Sequence, residues 1–291
     1  MTHVLTLIAA RAATTLDDAL IGRVRDAVRG GAADVLSAGE AVDIPLKDAP
    51  NMDVVRAAIG KKAVDAIVVK ARGRRKGLLI ADMDSTIITT ETLDELADFA
   101  GLKEKISAIT ARAMNNELNF EDALRERVGM LKGLSVNALE KTWARVALTG
   151  GAKELVATMR AHNAMTALVS GGFTFFTARV AELIGFHVHR ANVLLDDGAA
   201  LTGAVSEPIL GREAKVTALR ELAAERGVKR AATLAVGDGA NDLAMLAEAG
   251  LGIAFHAKPA VAAAARAKVD FCDLRALLFV QGYRAADIRQ E

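Results

Sequence analysis

Hydrophobic and polar positions divide the chain into stretches with different patterns. Over residues 1–70, short apolar runs alternate with amphipathic segments in the order βαββαβ, from a strand at Val4 to Ala9 to one at Ala66 to Val69. The basic segment 70–76 follows, and its composition is typical of a solvated linker. The pattern therefore predicts a small α/β domain over residues 1–72.

The remainder of the chain alternates between strand and helix patterns, with one interruption. The apolar run Leu78 to Ala81 predicts a buried strand, and residues 89–149 then carry a helical pattern without a strand. The predicted helices run from Thr92 to Phe99, Lys103 to Glu117, Phe120 to Leu131 and Asn137 to Leu148. Because alternation resumes afterwards, we predict a Rossmann-like parallel sheet formed by residues 76–88 and 150–291, with a helical cap, residues 89–149, inserted after its first strand.

Three of the predicted core strands end in polar or glycine-rich tracts. These tracts are Asp82-Met83-Asp84-Ser85-Thr86, Ser170-Gly171-Gly172 and Gly237-Asp238-Gly239-Ala240-Asn241-Asp242. Since the carboxyl ends of parallel strands meet at one edge of a sheet, we expect the tracts to converge. Two carboxylates as close as Asp82 and Asp84 repel each other unless a cation or a shared proton relieves them. The pattern therefore indicates a metal site, an acid/base pair, or both.

The carboxylates of these tracts suit phosphoryl transfer. A carboxylate can attack phosphorus as a nucleophile, and Mg²⁺ prefers carboxylates together with phosphate oxygens, which makes Asp82 and Asp238 the obvious side-chain ligands. Asp84 could protonate the leaving oxygen and later accept a proton from water. Each aspartate, considered alone, could instead cap a turn or a helix.

Other residues could contact a phosphate group. Ser170, Gly171 and Gly172 offer a hydroxyl and backbone N–H groups at a predicted helix start, although a simple glycine turn would look the same. Lys215 could neutralise phosphate, but a lysine in such a helix is usually exposed to solvent. Asn241 and Asp242 could orient groups behind the metal ligands, or cap a helix.

The composition narrows the classes of function. With 37 basic and 36 acidic residues and a net charge of +1, nothing favours nucleic acid or an anionic membrane as a partner. No apolar run approaches the roughly 20 residues of a membrane span, and the N-terminus lacks the basic start of a secretory signal. Cys272 is the single cysteine, which fits a reducing compartment. We expect a cytoplasmic protein with a small-molecule substrate.

In order and spacing, the tracts resemble the haloacid dehalogenase superfamily of phosphohydrolases. Its pattern is D-x-D-x-[TS], a later Ser or Thr after a strand, a Lys and a final G-D-x-x-x-D, all present here. Within that superfamily, residues 76–280 are closely similar to the phosphoserine phosphatase family. The similarity includes Glu91-Thr92-Leu93-Asp94-Glu95, Leu118-Asn119-Phe120-Glu121, Leu124-Arg125-Glu126-Arg127-Val128 and Ala257-Lys258-Pro259.

The resemblance implies a Mg²⁺-dependent hydrolysis of O-phospho-L-serine, the last step of serine biosynthesis, through an aspartyl-phosphate. Asp82 would be the nucleophile and a metal ligand. Asp84 would be the general acid/base and would also bind the metal through its backbone carbonyl. Asp238 would complete the ligands that the protein supplies.

The resemblance also implies a set of substrate-binding residues. The phosphoryl group would be held by Ser170, Gly171 and Lys215, with Asn241 close by and Asp242 behind the metal ligands. Glu91 would bind the substrate ammonium and Arg127 its carboxylate, because a zwitterion needs one anion and one cation. Without the resemblance, both residues would be predicted to be ordinary surface charges.

Several alternatives stay open from the sequence. A related enzyme could hydrolyse another small phosphate ester or transfer phosphate to an amino-acid alcohol. A non-catalytic phosphoacceptor or serine-sensing module is a further alternative, although such a module would not need Asp84. The N-terminal unit resembles ACT-like domains in size, position and element order, and it could sense serine, form a homodimer or simply pack against the core.

Overall fold

The N-terminal segment forms a four-stranded antiparallel sheet with two helices. The computed structural model describes residues 2–114 and 118–290. The N-terminal elements are β1 (His3–Ala9), α1 (Asp18–Ala27), β2 (Asp34–Ser37), β3 (Ala41–Leu46), α2 (Met52–Ile59) and β4 (Val64–Lys70). The strand order is β2-β3-β1-β4, and β1 pairs antiparallel with both of its neighbours. The predicted order βαββαβ is confirmed, whereas the ACT-like assignment stays a prediction.

The alternation of side chains along β1 explains how this sheet packs on both faces. Leu5 and Leu7 point to the core that the sheet shares with its own helices, where they meet Leu20 of α1 and Val55 of α2. Ile8 points to the opposite face and joins the main core of the molecule. The N-terminal sheet is therefore buried between its own helices and the rest of the chain.

A helical insertion follows the first strand of the second sheet. That strand is β5 (Leu78–Ala81), and the next regular helices are α3 (Thr92–Asp98), α4 (Lys103–Met114), α5 (Phe120–Gly129) and α6 (Asn137–Trp143). Asn119 caps α5, because its side chain accepts a hydrogen bond from the N–H of Glu121 at 2.8 Å. Residues 115–117, at the end of the helix predicted over Lys103 to Glu117, lie outside the described residues.

The last helix of the insertion is shorter than its sequence pattern predicts. It ends at Trp143 rather than Leu148, because the chain must return to the sheet in an extended form. The N–H of Thr89 donates to the carbonyl of Ala147, and the N–H of Thr149 donates to that of Ile87, both at 2.9 Å. The outgoing segment 87–89 and the returning segment 147–149 thus pair and form a neck between the insertion and the sheet.

The remaining elements build a six-stranded sheet with helices. They are α7 (Ala152–Ala161), β6 (Met165–Phe173), α8 (Thr174–Ile184), β7 (Val188–Asn192), β8 (Leu194–Asp196), β9 (Leu201–Val205), α9 (Arg212–Glu225), β10 (Thr233–Gly237), α10 (Leu243–Glu248), β11 (Leu251–Phe255), α11 (Pro259–Ala264), β12 (Ala267–Val269) and α12 (Ala276–Val280). The order is β12-β11-β10-β5-β6-β7, with parallel neighbours throughout. The predicted parallel-sheet core is confirmed, and β8 and β9 form the antiparallel hairpin between it and the insertion.

Burial on both faces explains the continuous apolar run of β5. Leu78 and Ile80 pack into the core on one side of the sheet, and Leu79 and Ala81 into the core on the other. Strand β5 lies between β10 and β6, so the three strands that end in the polar tracts are adjacent. In the part of the chain that the structure describes, no helix is both long and apolar enough to cross a lipid bilayer.

A buried carboxylate joins the N-terminal sheet to the rest of the molecule. The side chain of Asp65, on β4, accepts hydrogen bonds from the backbone N–H groups of Asp270, Phe271 and Cys272 at 2.8, 3.1 and 2.9 Å. Asp65 is only 4% exposed. Because a carboxylate that accepts several N–H groups is strongly stabilised, this contact fastens the two sheets together.

Candidate active site

The loop after β5 turns both carboxylates of the first tract into one cavity. Asp82 and Asp84 have extended backbones, with φ and ψ of −71° and 160°, and of −64° and 137°, respectively. Their side chains therefore share a side, while Met83 between them is fully buried. At Ser85 the backbone turns, with φ of +54°, and the N–H of Ile88 donates to the carbonyl of Met83.

The cavity lies between the carboxyl edge of the sheet and the helical insertion and has a volume of about 620 Å³. That volume suits a small molecule. Predicted site residues on its wall are Asp82, Asp84, Glu91, Arg127, Ser170, Gly171, Asp238 and Asn241. The three tracts thus meet in one cavity, as their positions on adjacent parallel strands predict.

The second tract belongs to the end of a strand rather than to the start of a helix. Strand β6 continues to Phe173, and α8 begins at Thr174, so the helix-start prediction for Ser170 to Gly172 was wrong. The pairing of β6 with β7 shifts register between Val169 and Phe173, and this irregularity turns the tract toward the cavity edge. A Cβ atom at Gly172 would lie 2.8 Å from Oδ2 of Asp84, so only glycine allows this approach.

Lys215 is buried between two carboxylates. Its Nζ lies 2.7 Å from Oδ1 of Asp82 and 2.6 Å from Oδ1 of Asp242, and the residue is 1% exposed. Burial by itself would lower the pKa of Lys215, but Asp242 and Asp82 raise it above its ordinary value. Solvent exposure, the expectation for this lysine considered alone, was therefore wrong. Lys215 contacts Asp82 from behind the cavity wall, and its predicted contact with a phosphoryl group stays a prediction.

The buried carboxylates beside Lys215 have a donor set that fits a divalent metal ion. Asp82, Asp238 and Asp242 each offer an oxygen atom, and these atoms lie within 4.8 Å of one another. Both oxygens of Asp242 already accept hydrogen bonds, from Lys215 at 2.6 Å and from the N–H of Gly239 at 3.0 Å, whereas Asp82 and Asp238 each have only Oδ1 in such a contact, with Lys215 and Thr86 respectively. Carboxylate oxygens are hard ligands of the kind that Mg²⁺ and similar cations prefer.

The pKa values of these carboxyl groups are raised by burial and by their mutual repulsion, which a cation would relieve. Burial, with the nearby Asp242 carboxylate, raises the pKa of Asp82 well above its ordinary range, and Lys215 opposes this effect. Burial, followed by Asp242 and Glu91, raises the pKa of Asp238 to about 7. When ionised, the three buried carboxylates outnumber the buried ammonium of Lys215, and a divalent cation would offset the excess of negative charge.

Asp84 has the properties of an acid/base group. Burial, with a smaller contribution from the Glu91 carboxylate, raises its pKa to about 7, although a hydrogen bond from the N–H of Thr92 at 2.9 Å opposes the shift. The hydroxyl of Ser170 lies 3.5 Å from the other carboxylate oxygen. A carboxyl group with a pKa near neutrality can donate a proton in one step and accept one in the next.

The insertion contributes Glu91, Glu121 and Arg127 to the cavity wall, and two of them, Glu91 and Arg127, have a predicted role. Glu91 precedes α3, and Arg127 lies on α5. Burial lowers the pKa of Arg127, while Asp94 and Glu91 oppose that shift. The roles of these two residues toward a ligand stay predictions, but the structure places both on the wall that Asp82 and Asp84 share.

Comparison with known proteins places the chain in a family. The family model described as haloacid dehalogenase-like hydrolase matches residues 79–247. A probable phosphoserine phosphatase from Schizosaccharomyces pombe is 42% identical over 210 residues, which cover 72% of this chain and 70% of the yeast protein. The chain belongs to the phosphoserine phosphatases of the haloacid dehalogenase-like hydrolase family.

Further relatives show how far the similarity extends. The phosphoserine phosphatase of Archaeoglobus fulgidus is 44% identical over 185 residues, but the match covers only 54% of that protein. The solved structure of a phospho-aspartyl intermediate analogue of a phosphoserine phosphatase superposes with a TM-score of 0.66 at 40% identity, covering 70% of this chain and 98% of that one. A haloacid dehalogenase family hydrolase from Salmonella enterica superposes over 97% of this chain and 98% of that one, with a TM-score of 0.85 at 28% identity.

Some cavity and metal-site residues had no predicted role. Thr86 donates a hydrogen bond from its hydroxyl to Oδ1 of Asp238 at 3.1 Å, and its position in the D-x-D-S-T tract was a signal that could have shown this. Phe120 lies against Gly171, where a Cβ atom would be 2.9 Å from its ring. Thr110 also lines the cavity, and no sequence signal distinguishes it from other helical threonines.

Proposed function

We propose that this protein hydrolyses O-phospho-L-serine to L-serine and inorganic phosphate. The observation that carries the proposal is that Asp82 and Asp84, which suit phosphoryl transfer, share one cavity with Glu91 and Arg127, which suit an α-amino acid. The phosphoserine phosphatases among its relatives support the same substrate.

In the first step, a carboxylate oxygen of Asp82 attacks the phosphorus atom. The bond from phosphorus to the serine oxygen breaks, an aspartyl-phosphate forms, and Asp84 donates a proton to the departing oxygen. Lys215, 2.7 Å from Asp82, favours the ionised nucleophile that this attack needs.

In the second step, water attacks the phosphorus atom of the aspartyl-phosphate. Asp84, now ionised, takes a proton from that water, and the bond from phosphorus to Asp82 breaks. Phosphate leaves, and both aspartates return to their starting protonation states. A pKa of Asp84 of about 7 suits both halves of this cycle.

We propose Mg²⁺ as the metal ion, held by the side chains of Asp82 and Asp238 and by the backbone carbonyl of Asp84. When bound, it would offset the negative charge of the phosphoryl oxygens and of the carboxylates. Asp242 accepts hydrogen bonds from Lys215 and Gly239 and so would hold the surroundings of these ligands in place.

Substrate selection rests on two charged residues of the insertion, Glu91 and Arg127. Glu91 would bind the ammonium group and Arg127 the carboxylate, while Ser170, Gly171 and Asn241 would surround the phosphoryl group. Hydroxyl and backbone N–H donors at this edge suit an anion.

The proposals for partners and cellular location rest on the net charge and the cysteine content. A net charge of +1 supports the proposal that neither nucleic acid nor a membrane is a partner. The single thiol, Cys272, is buried and free, which supports a reducing cytoplasm as the location. Homodimer formation and serine sensing by the N-terminal unit stay predictions.

The test is phosphate release from a panel of phosphate esters by the purified protein with Mg²⁺. We expect the highest kcat/KM for phosphoserine, and Asp82→Asn should lower kcat by at least about 10³-fold because the nucleophile is lost. Asp48→Asn, at an exposed carboxylate, is the matched control and should keep full activity. Preference for an ester without an amino-acid group, or near-normal activity of Asp82→Asn, would contradict the proposal.

A further inference from the structure

The guanidinium group of Arg127 is held at two of its nitrogen atoms. Nε donates to the carbonyl of Ala123, one turn earlier on α5, at 3.0 Å, and Nη1 donates to Oγ1 of Thr110, on α4, at 3.1 Å. Contacts at two nitrogens determine the plane of this rigid group. Among the described residues, no carboxylate lies within ion-pairing distance of Arg127, and Nη2 has no hydrogen-bond partner, so the group keeps donors for a ligand.

From this geometry we infer that Thr110 is a positioning residue that determines specificity for the substrate carboxylate. Its hydroxyl holds the guanidinium of Arg127 in the orientation that receives the carboxylate of an amino-acid phosphate. This inference rests on the proposed function, and it adds a residue that acts on the substrate only through Arg127.

The hydroxyl of Thr110 is oriented by its own helix before any ligand binds. It donates its single proton to the carbonyl of Ile106, four residues earlier on α4, at 3.1 Å. A hydroxyl has one proton and two lone pairs, so once the proton is committed, Oγ1 can only accept from Nη1 of Arg127. The position of the guanidinium is thereby set by the packing of α4 against α5.

Neutral acceptors can orient the guanidinium of Arg127 without neutralising its charge. Both atoms that hold Arg127, a backbone carbonyl oxygen and a hydroxyl oxygen, carry no formal charge. A carboxylate at position 110 would fix the guanidinium equally well but would neutralise it and compete with the substrate. Thr110 instead restricts the side chain of Arg127 before the ligand binds, so that less rotamer freedom is lost on binding. The positive charge of the guanidinium stays available to the ligand.

Two variants at this position separate the hydroxyl from the shape of the side chain. Thr110→Val removes the hydroxyl at almost constant volume, and Thr110→Ser keeps it. For phosphoserine, we expect Thr110→Val to lower kcat/KM about tenfold, mainly through KM, the factor typical of one lost hydrogen bond to a charged group. Thr110→Ser should stay within about threefold of the wild type.

O-phosphoethanolamine is the comparison ligand, because it has the phosphate and ammonium groups of phosphoserine but no carboxylate. Its kcat/KM, or its inhibition constant if it is not turned over, should change less than about twofold in Thr110→Val. Both ligands are measured on the same preparation of each variant. A partly unfolded fraction therefore affects both values equally and does not change their ratio. Ser107→Ala removes another hydroxyl of α4, one that donates to Asp94, and should leave the ratio unchanged.

A double-mutant cycle on phosphoserine completes the test. In an Arg127→Ala background, adding Thr110→Val should cause no further loss of kcat/KM, because the residue acts only through the guanidinium. Equal losses for both ligands, an unchanged Thr110→Val enzyme, or full additivity with Arg127→Ala would each overturn the inference. Failure of the proposed function would differ, because the wild-type protein itself would not then hydrolyse phosphoserine.

Discussion

Four buried ionisable groups, Asp82, Asp238, Asp242 and Lys215, share one small region at the end of β5 and β10. Their charges do not cancel when all are ionised, since there are three carboxylates and one ammonium, which contacts Asp82 and Asp242. The hydroxyl of Thr86 donates one hydrogen bond to Asp238, and the N–H of Gly239 donates one to Asp242. Both donors are neutral, so they do not offset the charge of the carboxylates. The region therefore takes up either protons or a cation, and the choice between them depends on pH.

We predict that the metal-free protein loses stability as the pH rises from about 5 to about 8. The pKa values of Asp84 and Asp238 are raised from 3.8 to about 7, so over this range the folded state keeps protons that the unfolded state has released. Stability then falls with increasing pH, in contrast to the usual behaviour of a salt-bridged aspartate. Thermal unfolding with a chelator, at several pH values, measures this slope.

Mg²⁺ should reduce that slope, because the cation replaces the protons and binds more tightly once the carboxylates are ionised. Asp238→Asn is the matched variant: it should remove the contribution of Asp238 to the slope of the metal-free protein, leave that of Asp84, and abolish the stabilisation by Mg²⁺. A metal-free stability that rises steadily toward pH 8 would contradict this account of the site.

At the level of elements, the neck of the insertion continues into a tight turn at Gly150 and Gly151. The carbonyl of Gly150 accepts a hydrogen bond from the N–H of Leu274 at 3.0 Å, which ties the turn to the segment before α12. Gly151 has φ of +78°, and a Cβ atom there would lie 2.5 Å from the backbone nitrogen of Arg275. Both the backbone conformation and the close contact require glycine at this position.

We therefore predict that Gly151→Ala destabilises the protein more than replacement of a glycine that has a positive φ but no close neighbour. Gly133, in the insertion, has φ of +84°, but a Cβ atom there would have nothing within 4 Å, so it is the matched control. Gly133→Ala should lower the free energy of unfolding by about 1 kcal/mol, and Gly151→Ala by about 3 kcal/mol or more. Urea unfolding of both variants measures the difference, and equal losses would show that the contact with Arg275 is harmless.

The sequence pattern predicted which helices and strands form better than it predicted the residues at which they end. Strand β5 follows from its continuous apolar run, which is a local property of the sequence. The end of α6 at Trp143 does not, because it depends on the pairing of segments 87–89 and 147–149. Likewise, Ser170 to Gly172 extend β6 because a neighbouring strand pairs irregularly with it.

For the whole molecule, the central feature is the attachment of the N-terminal sheet to the second sheet. Asp65 accepts three backbone N–H groups from residues 270–272, and the thiol of Cys272 contacts the carbonyl of Ile8 at 3.3 Å. Ile8 and Ile67 also enter the main core. Apolar burial and buried polar contacts thus hold the two sheets together.

We predict that Asp65→Asn lowers the free energy of unfolding by about 2 to 3 kcal/mol, because an amide cannot satisfy all three N–H groups. Urea unfolding measures the loss, and limited proteolysis should cut the linker at residues 71–76 faster in the variant. Asp53→Asn, at a carboxylate whose side chain is 85% exposed on α2, is the control and should change neither quantity much. Equal behaviour of the two variants would show that the Asp65 contact does not hold the sheets together.

The parallel sheet, its inserted helices and the three polar tracts could all be recognised in the amino-acid sequence. Such features depend on periodicity and on residue types at strand ends, which are local properties of the chain. Tertiary structure alone decided the burial of Lys215 against Asp242, 27 residues away, the contact of Thr110 with Arg127, 17 residues away, and the docking of Asp65 on a segment 205 residues away. The physical reason is that burial, pKa and hydrogen-bond partners depend on which distant segments meet in space, and local patterns carry no record of that.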